Sequence, residues 1–199
     1  MKKLGWFMAM AWIAVGVSQA QAFNKYDIKS GMVTLEFAMT MGKTQIKMTK
    51  IVYFDDYGSK ECEETYSNGK LTGVFFSDGK DKISLSLKKK TAQKQGAGDR
   101  GIGTRIEIND MGTTKDIETG VVKKMPPMTI AGQTCEVIQV TKGKGKGDNP
   151  DIYAGWNRVM VYLKTSGSGV NTEIKAVKLE ANAVVPKEKF QIPAGYSLQ

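Results

Sequence analysis

The chain of 199 residues contains no histidine. That absence removes Ser-His-Asp and Cys-His catalysis and every zinc site built on imidazole. Cysteine is confined to Cys62 and Cys135, and beyond residue 22 no apolar run approaches the length needed to cross a bilayer. The catalytic sets that dispense with histidine fail on spacing. Ser86-Leu87-Lys88-Lys89 matches S-x-x-K, a motif that works from a helical turn, yet here it follows the alternating run "ISLSLK", where residues three apart diverge. Asp55-Asp56 and Glu63-Glu64 are sequence neighbours that diverge in strands. "DNPD", Asp148 to Asp151, lacks the ligand series of a calcium loop and reads as a turn. No metal ligand set, no cofactor and no catalytic residue is assigned, and the chain is read as non-enzymatic.

What is present first is a leader. Met1-Lys2-Lys3 is a short positive start, Leu4 to Val17 is apolar, and Ala20-Gln21-Ala22 is an A-x-A processing signal. Residues 1–22 are therefore expected to be a secretory signal peptide cleaved between Ala22 and Phe23. With no cysteine at that junction, the product is expected to be periplasmic or secreted and not a lipoprotein. Residues 23–199 are expected to form a single antiparallel β domain.

Export governs how the glycines, charges and cysteines are read. Gly96, Gly98 and Gly101 have the G-x-G-x-x-G spacing, but a lysine run precedes them and the alternating Arg105-Ile106-Glu107-Ile108 follows. A dinucleotide site needs a buried strand before and a helix after, so the segment is read as a loop. The formal net charge is +9. Its lysines concentrate in glycine-rich loops, at Lys88 to Lys94 and in "KGKGKGD" from Lys142 to Asp148, without interleaved aromatics, so nucleic acid is not expected as a partner. At most a peripheral contact with an anionic membrane surface is expected. In an oxidising compartment Cys62 and Cys135 can form one disulfide, closing a loop of about 70 residues worth roughly 4 kcal/mol. The alternative is two independent thiols.

Period-two alternation dominates the rest. Val33, Leu35, Phe37, Met39 and Met41 share one parity, and Ile46, Met48, Val52 and Phe54 share another across a turn at Gly42-Lys43. Asn68-Gly69 and Asp78-Gly79 are type I′ hairpin signals. Further strands are expected around Cys62 to Tyr66, Leu71 to Phe76, Ile83 to Leu87, Arg105 to Asn109, Gln133 to Val140, Arg158 to Lys164 and Glu173 to Ala183. One helix is expected over Thr114 to Lys124, capped by Thr113 or Thr114 and stopped by Pro126-Pro127, with a weaker one near Thr91. Val33, Leu35, Phe37, Met39, Ile46, Met48 and Phe54 are the candidate ligand-lining residues. Flexible thioethers beside aromatics suit irregular or interchangeable apolar ligands, and they also suit a plain core.

The order "IKSGMVTLEF", "YFDDYGSKE", "DKISLSLKKKT", "IAGQTCEV", "VMVYLKT" and "VVPKEKFQIPAGY" resembles an exported bacterial family of uncharacterised proteins. That family is similar to the outer-membrane lipoprotein carrier, or LolA-like, superfamily. Gly132-x-x-Cys135 and the closing run Phe190 to Tyr196 carry the likeness best. The resemblance implies a mainly β fold, a curved antiparallel sheet or incomplete barrel with one or two short helices, and an apolar cavity for lipid or an acyl chain. The expected function is a non-catalytic cell-envelope protein that binds a hydrophobic ligand or lipoprotein in a concave apolar face. The alternative is a structural or interaction module of the periplasm with no small-molecule ligand.

Overall fold

Alternating sequence makes extended chain, and here extended chain makes one sheet. The computed structural model describes residues 24–95, 105–141, 143 and 149–199. The leader with its junction at Ala22 and Phe23, the glycine loop from Gly96 to Gly103, and most of "KGKGKGD" lie outside the described residues. In chain order the elements are β1 (Gly31–Met41), β2 (Thr44–Asp55), β3 (Lys60–Ser67), β4 (Lys70–Ser77), β5 (Lys82–Ser86), β6 (Thr91–Gln95), α1 (Ile108–Met111), α2 (Thr114–Glu118), β7 (Val122–Ile130), β8 (Gln133–Val140), β9 (Asp151–Trp156), β10 (Val159–Gly167), β11 (Val170–Ala181) and β12 (Ser197–Leu198).

The 12 strands lie side by side as β12-β6-β5-β4-β3-β2-β1-β11-β10-β9-β8-β7. All neighbours are antiparallel except β12, which pairs parallel with β6. Register shifts at Thr34/Leu35, Thr65/Tyr66, Met125/Met128 and Met160/Tyr162 bend the ladder. The far strand β7 curls back to contact β11. The protein is thus a mainly β, open, curved antiparallel sheet with two short helices, the fold class expected from the alternation and from the LolA-like resemblance.

Turn chemistry explains most hairpins. Gly42 has φ +58° in the first central position between β1 and β2, where a type II′ turn needs glycine. Asn68 and Gly69 both have positive φ, as type I′ requires. Asp78-Gly79 departs from the two-residue turn expected. Residues 78–81 form the loop, and the Asp78 carboxylate accepts the backbone N–H of Lys80 and of Asp81, each at 2.8 Å.

The helix expected over Thr114 to Lys124 is real at its start and wrong at its end. Thr113 and Asp116 form a reciprocal capping box, but the helix stops at Glu118 because Gly120 takes φ +73°. From Val122 the chain is strand β7, with Pro126 and Pro127 inside it. Proline lacks a donor, and β7 is an edge strand with its register shift spanning this pair, so the missing N–H disrupts no inner ladder. Arg105 to Asn109 is not a strand either: Arg105 makes one isolated bridge to Val159, and α1 begins at Ile108. The region near Thr91 is strand β6 and not helix.

The main core gathers Val33, Leu35, Val52, Phe54, Phe76, Val137, Trp156, Val161 and Ile174. A smaller cluster of Ile106, Val122, Ile138 and Val140 lies beside α1 and α2. Two straps complete the packing. Before β1, Tyr26 N–H donates to Tyr57 carbonyl and Asp27 N–H to Asn157 carbonyl, so the segment ties the β2–β3 turn to the β9–β10 turn. After β11, a 3-10 turn at Lys187–Phe190 buries Phe190 against β3 and β4 before β12 reaches β6. Cys62 on β3 and Cys135 on β8 are both buried and carry free thiols, the second of the two arrangements the sequence left open. The two residues occupy opposite halves of the sheet's strand order.

Candidate functional site

The apolar stripe on β1 and β2 begins in the core and leaves it. Val33 pairs with Val52, Leu35 with Lys50, Phe37 with Met48, and Met39 with Ile46. On the other flank of β1, Val33 faces Leu179, Phe37 faces Ile174 and Met39 faces Thr172. Directly opposed residues of an antiparallel pair project to the same side, so these groups form one continuous surface. Val33, Leu35 and Phe54 are nearly fully buried, and Phe37 packs at the edge of the core. Met39 and Met48 are half-buried and outside that core, while Ile46 is 37% and Met41 55% exposed. Of the seven residues expected to line a ligand face, three therefore fill the protein's own interior. The other four, Phe37, Met39, Ile46 and Met48, lie progressively toward the β1–β2 turn.

Two clefts flank this end of the sheet. One of about 460 Å³ lies mainly on the polar parity, among Glu36, Ala38, Lys47, Thr49 and Tyr66 and the β3–β4 turn, and touches Phe37 and Met48 of the apolar stripe. A second of about 530 Å³ touches Ala38, Thr40, Gln45, Ile152, Lys164 and Glu173. Sequence reasoning missed the second because it is built by β9, β10 and β11 meeting the polar parity of β1. A third, of about 480 Å³, lies among Asp27, Glu107, Lys124, Glu136 and Arg158.

Buried charge sits elsewhere. Glu61, 4% exposed, receives the Tyr26 hydroxyl and lies 2.6 Å from Lys25 Nζ. Burial pushes its carboxyl up to about 7, against the opposing pull of Lys25, of the Tyr26 hydroxyl and of Lys82. That value suits proton transfer at neutral pH, but Glu61 is buried against the Tyr26 strap and lines none of these three clefts. Glu64 accepts Tyr66 hydroxyl at 2.9 Å and lies 2.5 Å from Lys189 Nζ, which sits 4.3 Å from the Tyr53 ring centroid. This second cluster fastens the C-terminal strap. Burial drives the Cys62 thiol up to about 12, and burial also raises that of Cys135, so neither is poised as a nucleophile. Among the described residues no group of three His, Cys, Asp or Glu side chains is placed to hold a metal ion. Among them, too, no helix is long and apolar enough to cross a membrane.

No protein-family model matches the chain, and no curated protein matches it. Solved structures do. A conserved protein from Thermus thermophilus is 8% identical, covering 86% of this chain and 90% of its own, with a TM-score of 0.54. MucB is 9% identical, with a TM-score of 0.50, covering 86% of this chain and 60% of MucB. A LolA superfamily protein from Nitrosomonas europaea is 10% identical, covering 84% and 94%, with a TM-score of 0.41. At such identities the likeness is one of fold.

Proposed function

We propose that this protein is a non-catalytic binding protein of the cell envelope that seats an acyl chain, or the lipid of a lipoprotein, along Phe37, Met39, Ile46 and Met48. One observation carries this reading: the apolar parity of β1 continues out of the core past Phe37 to Met39, facing Met48 and Ile46 of β2, and ends there half-buried or exposed. Thioethers adapt to a flexible chain. Export through the leader of residues 1–22, and a periplasmic or secreted location, belong to the same proposal. The absence of histidine and the closed setting of Glu61 support a role without catalysis.

The test is displacement of an environment-sensitive fatty-acid dye, followed alongside emission of Trp156. Wild type is expected to bind at tens of micromolar or tighter, an affinity near −6 kcal/mol. Met39→Lys should weaken binding at least tenfold, because a lysine head in a dry contact loses hydration. Met128→Lys, on the edge strand β7, should bind as wild type. If no acyl ligand binds in that range, the interaction-module reading takes its place. That second reading is favoured by the burial of Val33, Leu35 and Phe54, which leaves their part of the face already occupied by the protein itself.

A further inference from the structure

The turns at the two ends of the sheet differ in charge, and the difference follows from topology. At one end lie the β1–β2 turn (Gly42-Lys43), the β3–β4 turn (Asn68-Gly69), the β5–β6 turn (Leu87 to Lys90) and the β10–β11 turn (Ser168-Gly169). None of these turns contains Asp or Glu. Lys43, Lys47, Lys70, Lys88, Lys89 and Lys90 stand on or beside them and are all exposed. Among the described residues none of the six has a carboxylate partner. The opposite end has Asp55, Asp56, Asp78 and Asp81 in its turns, mixed with Lys60, Lys80 and Arg158. Beyond β10 the lysine-rich end becomes mixed as well, since α2 and its flank carry Lys115, Asp116 and Glu118 and lead into β7 beside Val140.

The same lysine-bearing rim holds exposed apolar groups. Met41 is 55%, Ile46 37% and Leu71 38% exposed, on the β1–β2 and β3–β4 hairpins. A soluble polyanion needs lysines alone. Apolar side chains at hairpin tips, alternating with lysines, match instead an interface that offers anionic headgroups above hydrocarbon. We infer that this rim, from Lys43 and Met41 across Lys70 and Leu71 to Lys88–Lys90, docks the protein on an anionic phospholipid bilayer. The inference stands apart from acyl-chain binding, since it requires no cleft.

The experiment uses the full chain produced with its own leader, its N-terminus read by intact mass. Sedimentation with phosphatidylglycerol-rich vesicles is compared with pure phosphatidylcholine vesicles. Binding is expected to the first and not the second, and to decline as salt is raised. Each rim lysine is worth about a fivefold change near the membrane, so Lys43→Gln, Lys70→Gln and Lys88→Gln together should lower the partition coefficient about a hundredfold. The same three changes at Lys29, Lys60 and Lys80, at the opposite end, should leave it within about twofold. Met41→Ser with Leu71→Ser, both outside the proposed acyl-chain stripe, should lower it about tenfold through lost insertion. Far-UV circular dichroism checks that each variant keeps its sheet. Failure of wild type to bind the anionic vesicles, or equal loss from both lysine triples, overturns the inference. So does binding indifferent to the two serines and matched by heparin, which would assign the rim to a soluble polyanion.

Discussion

Tyr26 donates its hydroxyl to one carboxylate oxygen of Glu61, and Lys25 Nζ holds the other at 2.6 Å. The Tyr26 ring meets Phe54 edge-on, with centroids 5.0 Å apart. The strap before β1 is therefore fastened by an acid that is itself almost wholly removed from water.

That fastening depends on pH in a stated direction. The folded value of about 7 lies above the ordinary 4.5, so the native state binds the Glu61 proton more tightly than the unfolded chain does. The stabilisation is complete below the unfolded value and disappears as pH rises through 7. A gap of this size corresponds to about 3 kcal/mol. Urea melts of wild type and Glu61→Gln across pH 4.5 to 8 should show the wild-type advantage shrinking by about that amount. A difference that stays constant with pH would mean that Lys25 keeps Glu61 charged throughout.

Phe190→Ala should cost about 3–5 kcal/mol, the usual loss for a buried phenylalanine. The effect should reach the C-terminus. Ser197 N–H donates to Lys90 carbonyl and Gln199 N–H to Ala92 carbonyl, and both amides should exchange faster once the strap loses its anchor. Unchanged exchange at these two amides would show that β12 holds to β6 independently of Phe190.

Gly31→Ala tests how closely the chain packs where β1 begins. An added Cβ would stand 2.4 Å from Phe54 Cζ and 2.7 Å from Glu180 carbonyl oxygen. Destabilisation of about 1–3 kcal/mol is expected from overpacking, read from denaturant midpoints. Gly73→Ala is the control, because its Cβ would meet Thr65 Cβ at an ordinary 3.8 Å. It should be neutral or slightly stabilising.

Both cysteines should be silent toward iodoacetamide in the native protein at neutral pH, since burial holds the Cys62 thiol up near 12 and raises that of Cys135. Under denaturant without reductant, intact mass should show two alkylations. No alkylation would indicate the Cys62–Cys135 bridge that the sequence alone allowed.

Local patterning was legible where one residue's environment depends on its neighbours in sequence. The alternation from Gly31 to Met41 is β1 with the same limits, Gln133 to Val140 is β8, and Asn68-Gly69 turns as its composition dictates. Errors arose where a distant partner decided. Ile117, Val121 and Met125 have helical spacing, yet Val122 and Met125 pair with Val140 and Val137, and that ladder overrides the helix after Gly120. The seven lining candidates share their parity as expected. What divides Val33 from Met39 is cover supplied by remote segments, including Tyr26 beside Phe54. No spacing rule announces that cover, nor the ion pair of Lys189 with Glu64 across 125 positions.

β1 lies in the middle of the sheet with β2 on one side and β11 on the other, so Gly31 faces Ala181. Early and late chain thus meet at the centre. The two flanking meanders can each form from local hairpins, but the seam between them cannot close until the chain has been made almost to its end. Until then β1 offers a bare row of N–H and C=O groups to any other extended segment nearby. Closing so long a loop makes assembly of this sheet a slow step compared with its hairpins. The same seam that gives the finished protein a continuous face leaves the nascent one most exposed to pairing with another copy of itself.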